Sequence, residues 1–287
     1  MEIKIIGKIC GNQDGAIFAD YLFRFDELGN FCVYNISKLN LNEYNGELKA
    51  VFKGTLDRHS EIVPHSNAVV FSNEYVNEGD EFPILYANLY NNYAGDESMT
   101  AVSLAYKIER SGNDFKTKLL GMVEIGFKNE TGLWRSSEGI DVRPYGNFLI
   151  DRENSFYYAY VMIDKENVTR YFKFYAPKIM NAEAENKYNI RKVVLNKEDI
   201  RESFDTDYHN FIQGGTVHKG IIYSVEGFSH GVKEIPAIRI IDPESKRLLK
   251  YIKLPDYGYF EEPEFIDFYK GVCLYSDAEG NLYKVEL

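Results

Sequence analysis

A strand-turn-strand unit recurs five times along this chain, and its last copy ends on Leu287, the final residue of the 287. A β unit repeated every few tens of residues cannot bury its faces alone, so successive copies must pack on one another as a radial or linear array. The first and last copies are the most alike. Residues 14–36 read DGAIFADYLFRFDELGNFCVYNI, and residues 263–287 read PEFIDFYKGVCLYSDAEGNLYKVEL. Each holds an alternating apolar run, a second run ending in aspartate, and a D-x-x-G-N turn into a third run: Asp26, Gly29 and Asn30 in one, Asp277, Gly280 and Asn281 in the other. Gly-Asn between two period-two runs predicts a hairpin, because both residues tolerate positive φ. Copies with longer loops occupy 66–108, 146–175 and 214–241, and a Lys219-Gly220 turn in the fourth is repeated at Lys270-Gly271 in the fifth.

A further apolar stretch follows each of the first four units, at 48–52, 118–125, 190–195 and 248–254, whereas the fifth has none. The unmatched stretch is at the other end, where residues 2–8 read EIKIIGK. These observations predict one all-β domain over 1–287, a five-bladed β-propeller rather than a β-sandwich, closed by the N-terminal strand. Its blades are expected at about 14–52, 66–127, 146–195, 214–254, and 263–287 plus 2–8. The 23 Tyr and 19 Phe suit the pleated, buried faces of such blades. One segment departs from the pattern: residues 196–204 carry an N-cap residue, early acids, and Ile200 and Phe204 four apart, which predicts a short helix.

Apolar runs of only a few residues and a charged N-terminus predict neither a membrane span nor a signal peptide, hence a cytoplasmic protein without membrane partners. Cys10, Cys32 and Cys273 are odd in number and lack C-x-x-C spacing, so reduced, buried thiols are expected. The net charge of −11 argues against nucleic acid. Phosphate-loop, H-E-x-x-H and G-x-S-x-G motifs are absent and the five histidines show no metal-ligand spacing, so no cofactor and no metal site is expected.

Polar residues at the starts of the five inner strands would face one another across a central channel. They are Gln13 and Asp14; His65, Ser66 and Asn67; Arg143, Tyr145 and Asn147; Gln213 with Gly214; and Glu262 with Glu264. Turns after the second strands add Asp26, Asn92, Tyr93, Arg170, Glu226 and Asp277 on the same face. A channel without ligand could be lined by small residues, so this set predicts a small polar ligand, with amides and acids bonding hydroxyls and Tyr93 and Tyr145 stacking on a sugar derivative. Arg143, before a Pro-Tyr-Gly turn, is placed to clamp an anionic group.

The arrangement resembles the five-bladed glycoside hydrolases of arabinanase, xylosidase and invertase type. That resemblance implies an aspartate at the first inner strand, matched by Asp14, and a general acid from among Glu226, Glu262 and Glu264, which spacing does not rank. The second blade departs from it, with Ser66-Asn67 where the family has an aspartate. The stretches GNQDGAIF, VPHSN, RPYGNF and EPEFIDF are similar to those of an uncharacterised family of bacterial cytoplasmic propellers, which implies the fold and a shared pocket but no reaction. Three functions stay open: a small-ligand binder, a glycoside hydrolase or lyase, and an interaction scaffold presenting loops 72–81 and 95–99.

Overall fold

A computed structural model describes residues 2–89, 96–128, 130, 143–163, 168–184, 186–207 and 211–287. Strand β1 (Glu2–Lys8) opens the chain, and β2 (Gly15–Phe18), β3 (Tyr21–Phe25), β4 (Asn30–Asn35) and β5 (Phe52–Thr55) form blade 1. Blade 2 is built from β6 (Val69–Phe71), β7 (Leu85–Asn88), β8 (Val102–Ser111) and β9 (Asp114–Ile125). Then come β10 (Arg143–Asp151), β11 (Phe156–Ile163), β12 (Val168–Tyr175), β13 (Arg191–Leu195) and β14 (Glu202–Asp207). Blade 4 holds β15 (Ile212–His218), β16 (Ile221–Glu226), β17 (Ala237–Asp242) and β18 (Arg247–Lys253). Strands β19 (Pro263–Tyr269), β20 (Val272–Asp277) and β21 (Asn281–Glu286) complete the order. Ring closure is as the sequence implied: β1 lies antiparallel on β21, from Glu2 opposite Glu286 to Lys8 opposite Asn281, as the fourth strand of blade 5.

Period-two side chains explain how the blades stack. In blade 2, Val69, Phe71, Leu85 and Leu104 pack toward blade 1, while Ala68, Val70, Tyr86 and Ala105 pack toward blade 3. Consecutive residues thus enter different interfaces, and the buried apolar side chains divide into five clusters that correspond to the five junctions between blades. The wedge between blades 1 and 2 is filled by aromatics, with Phe23 5.3 Å from Phe71 and 5.6 Å from Phe82 in edge-on contact.

The repeated D-x-x-G-N motif is a self-contained turn. Asp26 accepts the Leu28 and Asn30 amides at 2.9 Å and the Asn30 side-chain amide at 2.6 Å, and Gly29 takes φ 77°. Asp277, Gly280 (φ 80°) and Asn281 repeat the arrangement. Within these turns the glycine takes the positive φ, and the asparagine instead ties its amide back to the aspartate. At Lys219-Gly220 and Lys270-Gly271 both residues have positive φ, as a two-residue type I′ hairpin requires.

Four expectations need correction. Residues 190–195 are not the fourth strand of blade 3: β13 runs parallel to β9 as a fifth strand of blade 2, with Arg191 opposite Gly121 and Leu195 opposite Ile125. The excursion is held there by Glu74 of blade 2, whose carboxylate accepts the Ile179 and Met180 amides at 3.0 and 3.1 Å. β14 takes the vacant place beside β12, burying only Phe204 and Thr206 while its polar neighbours face out. The predicted helix over 196–204 is therefore one 3-10 turn, Lys197–Asp199, whose Asp199 carboxylate accepts the Asn196 amide at 2.8 Å. In blade 1 the fourth strand is Phe52–Thr55 rather than 48–52; Leu48 and Ala50 pack instead at the junction of blades 5 and 1. Finally, Cys10 and Cys32 form a disulfide, and only Cys273 is a buried free thiol. Sequence distance hid a pair that ring closure brings together. No helix among the described residues is long and apolar enough to cross a membrane.

Candidate functional site

Asp14 ends the connection that leads into the inner strand of blade 1, and it is fully buried. Its amide donates to the Ser66 carbonyl at 3.1 Å, and its Oδ2 accepts the Val69 amide of blade 2 at 2.9 Å. The carboxylate thus stitches two inner strands. Asp267 does the same one blade back, accepting the Ile17 amide at 2.7 Å and the Thr216 hydroxyl at 3.1 Å. The other oxygen of Asp14, Oδ1, has no hydrogen-bond partner. It lies against Gly214 of blade 4, where a methyl group would stand 2.9 Å from Oδ1 and 2.4 Å from the Glu264 carbonyl. Glycine is required there because blades 1, 4 and 5 meet at that point.

Around this point several buried polar atoms lack partners: Asp14 Oδ1, Glu264 Oε2, Arg24 Nε and Nη1, Gln13 Oε1, Ser66 Oγ and Ser276 Oγ. Arg24 is fully buried, with one hydrogen bond, from Nη2 to the Gly11 carbonyl at 3.1 Å, and its guanidinium lies 5.6 Å from the Phe265 ring centre. Burial pushes it down to about 10, against the pull of Glu264 and Asp14. It still carries its charge at neutral pH. Burial raises Asp14 well above the usual carboxylate range, opposed by the Val69 and Gly15 amides and by Arg24. Glu264 is raised chiefly by burial and further by Glu262, with Arg24 opposing. Two protonatable carboxyls therefore stand beside one fixed cation, and a buried group missing a hydrogen bond costs about 1–3 kcal/mol.

Other expected site residues divide by what they already bond. Gln213 donates to Glu262 Oε1 and, at 3.3 Å, to the Gly227 carbonyl, and burial raises Glu262. His65 is half-buried and burial lowers it. Asn67 and Asn147 both accept from the Asn88 amide, and Asn147 donates to Tyr160 at 3.4 Å, forming a buried plug between blades 2 and 3. Glu226 is ion-paired with Arg239 at 3.2 Å in the interior of blade 4. Asp277 accepts from Asn281 and, at 2.7 Å, from Tyr283. Arg170 sits on β12 rather than in a turn, bidentate to Asp205 at 2.7 and 2.8 Å. Asn92 and Tyr93, and the side chains of Arg143 and Tyr145, lie outside what the structure describes.

Sequence reasoning missed Arg24, Asp267 and Asn88. Arg24 had a readable signal, a charge inside the apolar run YLFRF, where alternation alone would have put it on a buried face. Beside Arg24 a cleft of about 620 Å³ opens at the junction of blades 5 and 1, walled by Cys10, Gly11, Asp26, Lys53 and the turn at Gly280. Among the described residues no group of three or more His, Cys, Asp or Glu is disposed to hold a metal ion.

No protein-family model matches this chain, and no curated protein matches it by sequence. Solved structures do match in shape. Glutaminyl cyclase from Myxococcus xanthus is similar at 10% identity and a TM-score of 0.50, covering 100% of this chain and 94% of its own. A protein from Thermus thermophilus designated an oxidoreductase (glucose dehydrogenase) has 8% identity, a TM-score of 0.48, and 99% of each chain covered. The β-propeller domain of Cps50 (Swd1) from Myceliophteria thermophila has 9% identity, a TM-score of 0.45, and 100% of each chain covered. At such identities the likeness is one of fold: the chain is a five-bladed all-β propeller.

Proposed function

We infer that this propeller binds a small polar ligand, of the sugar-derivative class, at the inner-strand starts around Asp14, Arg24 and Glu264. The observation that carries this reading is the convergence of unpartnered buried acceptors on Asp14, Glu264 and Gln13 with unpartnered donors on Arg24. A ligand group that both donates and accepts, such as a hydroxyl, satisfies both sets at once. Gln213, Glu262 and His65 are proposed to flank the site. The similarity of the inner-strand stretches to uncharacterised bacterial propellers supports a pocket without naming its occupant. As for compartment, the cytoplasmic reading rests on the short apolar runs and charged N-terminus; reduced cysteines were expected to agree with it, and the disulfide removes that agreement.

Thermal shift with neutral sugars, amino sugars and uronic acids tests the binding reading. At least one class should raise Tm by ligand linkage, and Arg24→Met or Glu264→Gln should abolish the rise. If no class raises Tm and a crystal structure shows ordered water on each of the orphaned atoms, the reading is wrong.

A hydrolase or lyase is the second reading, favoured by two carboxyls that burial raises beside one guanidinium. Glu264 is the better acid candidate, because Glu226 is committed to Arg239 and Glu262 to Gln213. Asp14→Asn or Glu264→Gln should then lower turnover of an aryl glycoside at least about a hundredfold. Absence of turnover across such a panel leaves the binder.

A further inference from the structure

The bond between Cys10 and Cys32 lies where the ring is closed. Cys10 belongs to the strap that carries the chain from β1 into the inner strand of blade 1, and Cys32 sits on β4. Hydrogen bonds along this strap lead from the ring junction to the site. The Ile9 amide donates to the Gly280 carbonyl at 2.8 Å, Cys10 to the Tyr34 hydroxyl at 2.6 Å, Gln13 to Phe25 at 3.2 Å and Asp14 to Ser66 at 3.1 Å. Between them the Gly11 carbonyl accepts Arg24. The disulfide therefore anchors the residues that hold both Arg24 and Asp14. Both cysteines are partly exposed, and Cys10 contributes to the walls of two neighbouring cavities of about 620 and 550 Å³, so a small thiol can approach. Cys273 is buried elsewhere.

We propose that Cys10–Cys32 is a thiol-disulfide exchange site whose redox state sets the order of this strap, and through it the placement of Arg24 and Asp14. The reductant is a small dithiol. Its thiolate attacks Cys32 Sγ, forms a mixed disulfide and expels Cys10 as thiolate. Its second thiolate then attacks the reductant's own sulfur in the mixed disulfide, releasing Cys32 and closing a cyclic disulfide. Two electrons pass to the protein, and two protons move from the reductant's thiols to the two cysteines. Tyr34 sets the direction of attack. Its hydroxyl accepts the Cys10 amide and donates to Cys10 Sγ at 2.9 Å, which stabilises negative charge on Cys10 and makes it the better leaving group.

The inference stands apart from the identity of any ligand and is tested without one. Protein purified without reductant is treated with dithiothreitol and iodoacetamide under native conditions, with alkylation read by mass spectrometry and backbone order by amide hydrogen exchange. Cys10 and Cys32 should be alkylated only after reduction and Cys273 not at all. Exchange at Cys10, Gln13 and Asp14 should quicken at least about tenfold, as expected when a local segment opens, with β11 and β12 unchanged. The double variant Cys10→Ser/Cys32→Ser should show the same pattern without reductant; should it fail to fold, reduced wild-type protein carries the test. Tyr34→Phe should slow reduction several-fold. Free thiols at both positions before reduction, or reduction that leaves exchange at 9–14 unchanged, would overturn the proposal, and an unaltered rate in Tyr34→Phe would overturn the assigned direction of attack.

Discussion

Removing residues 1–8 tests the ring closure on which the whole architecture depends. β1 pairs with β21 at six positions and takes Ile3 and Ile6 into the core at 8% and 0% exposure. Ile3 packs at the junction of blades 4 and 5, and Ile6 at that of blades 5 and 1, so one strand seals two interfaces. Each isoleucine contributes about 1.5–3 kcal/mol by leaving water, which makes the pair worth about 3–6 kcal/mol before any loss of the strand ladder. Domains of this kind have total stabilities of about 5–15 kcal/mol, so the truncated protein should be near its unfolding threshold at room temperature. The freed edge of β21 should also recruit other chains. Ile6→Ala is the graded version, expected to cost about 2–5 kcal/mol and to lower Tm by roughly 5–10 °C. The exposed Lys4→Ala on the same strand serves as control and should change little. Calorimetry and size-exclusion chromatography without reductant, to keep the disulfide intact, provide the readout. A truncated chain that stays monomeric with an unchanged Tm, or an Ile6→Ala variant as stable as Lys4→Ala, would refute the reasoning.

Asp14→Ala should destabilise by about 1–3 kcal/mol because it leaves the buried Val69 amide unpaired, whereas Asp14→Asn keeps an acceptor there and should cost less. Equal losses in chemical denaturation would count against the stitching role. Gly214→Ala should cost about 1–3 kcal/mol by forcing a methyl group against the Glu264 carbonyl, and a neutral result would mean the three blades do not meet as described. Glu226→Gln should destabilise by about 3 kcal/mol by stranding buried Arg239, which separates a structural glutamate from a binding one. The raised carboxyl of Glu264 predicts an unusual pH dependence. A group whose folded pKa is raised binds its proton more tightly when folded, so its contribution is fully present below the unfolded value of about 4 and is lost as pH rises through the folded value. Subtracting the stability profile of Glu264→Gln from that of wild type isolates this group from the half-buried histidines, and the difference should fall as pH increases above about 4. A flat difference would show that Glu264 is not held protonated by burial.

Legibility in the sequence followed how local the determinant was. The D-x-x-G-N and Lys-Gly turns were readable because their hydrogen bonds and dihedrals are contained within a few residues. Inner-strand starts were readable to within a few residues: Asp14 directly precedes β2, His65 lies ahead of β6, and Gln213 and Glu264 fall just inside β15 and β19. Their individual roles were not readable. Asp14 and Asp267 are both inner-strand acids, yet only the arrival of a neighbouring blade's amide shows that each is a stitch between strands. Glu226 and Glu264 both looked available, and Arg239 on the adjacent strand is what commits Glu226. In β14, two inward side chains sufficed because the strand had only one edge to cover, too weak a pattern to outweigh the capping signals before it.

The number of repeating units, their hairpin turns, and the closure of the last unit by the first strand were all written in the order of residues. They rest on period-two alternation and on turns whose backbone demands are local. Packing of the blades had to be seen before β13 could be assigned to blade 2, Cys10 to Cys32, or Arg24 to the company of Asp14 and Glu264. Each of these depends on a contact between segments from different strands or different blades. Spacing along a chain carries no record of such contacts, because which strand edge, thiol or carboxylate is nearest is settled only when the blades have packed.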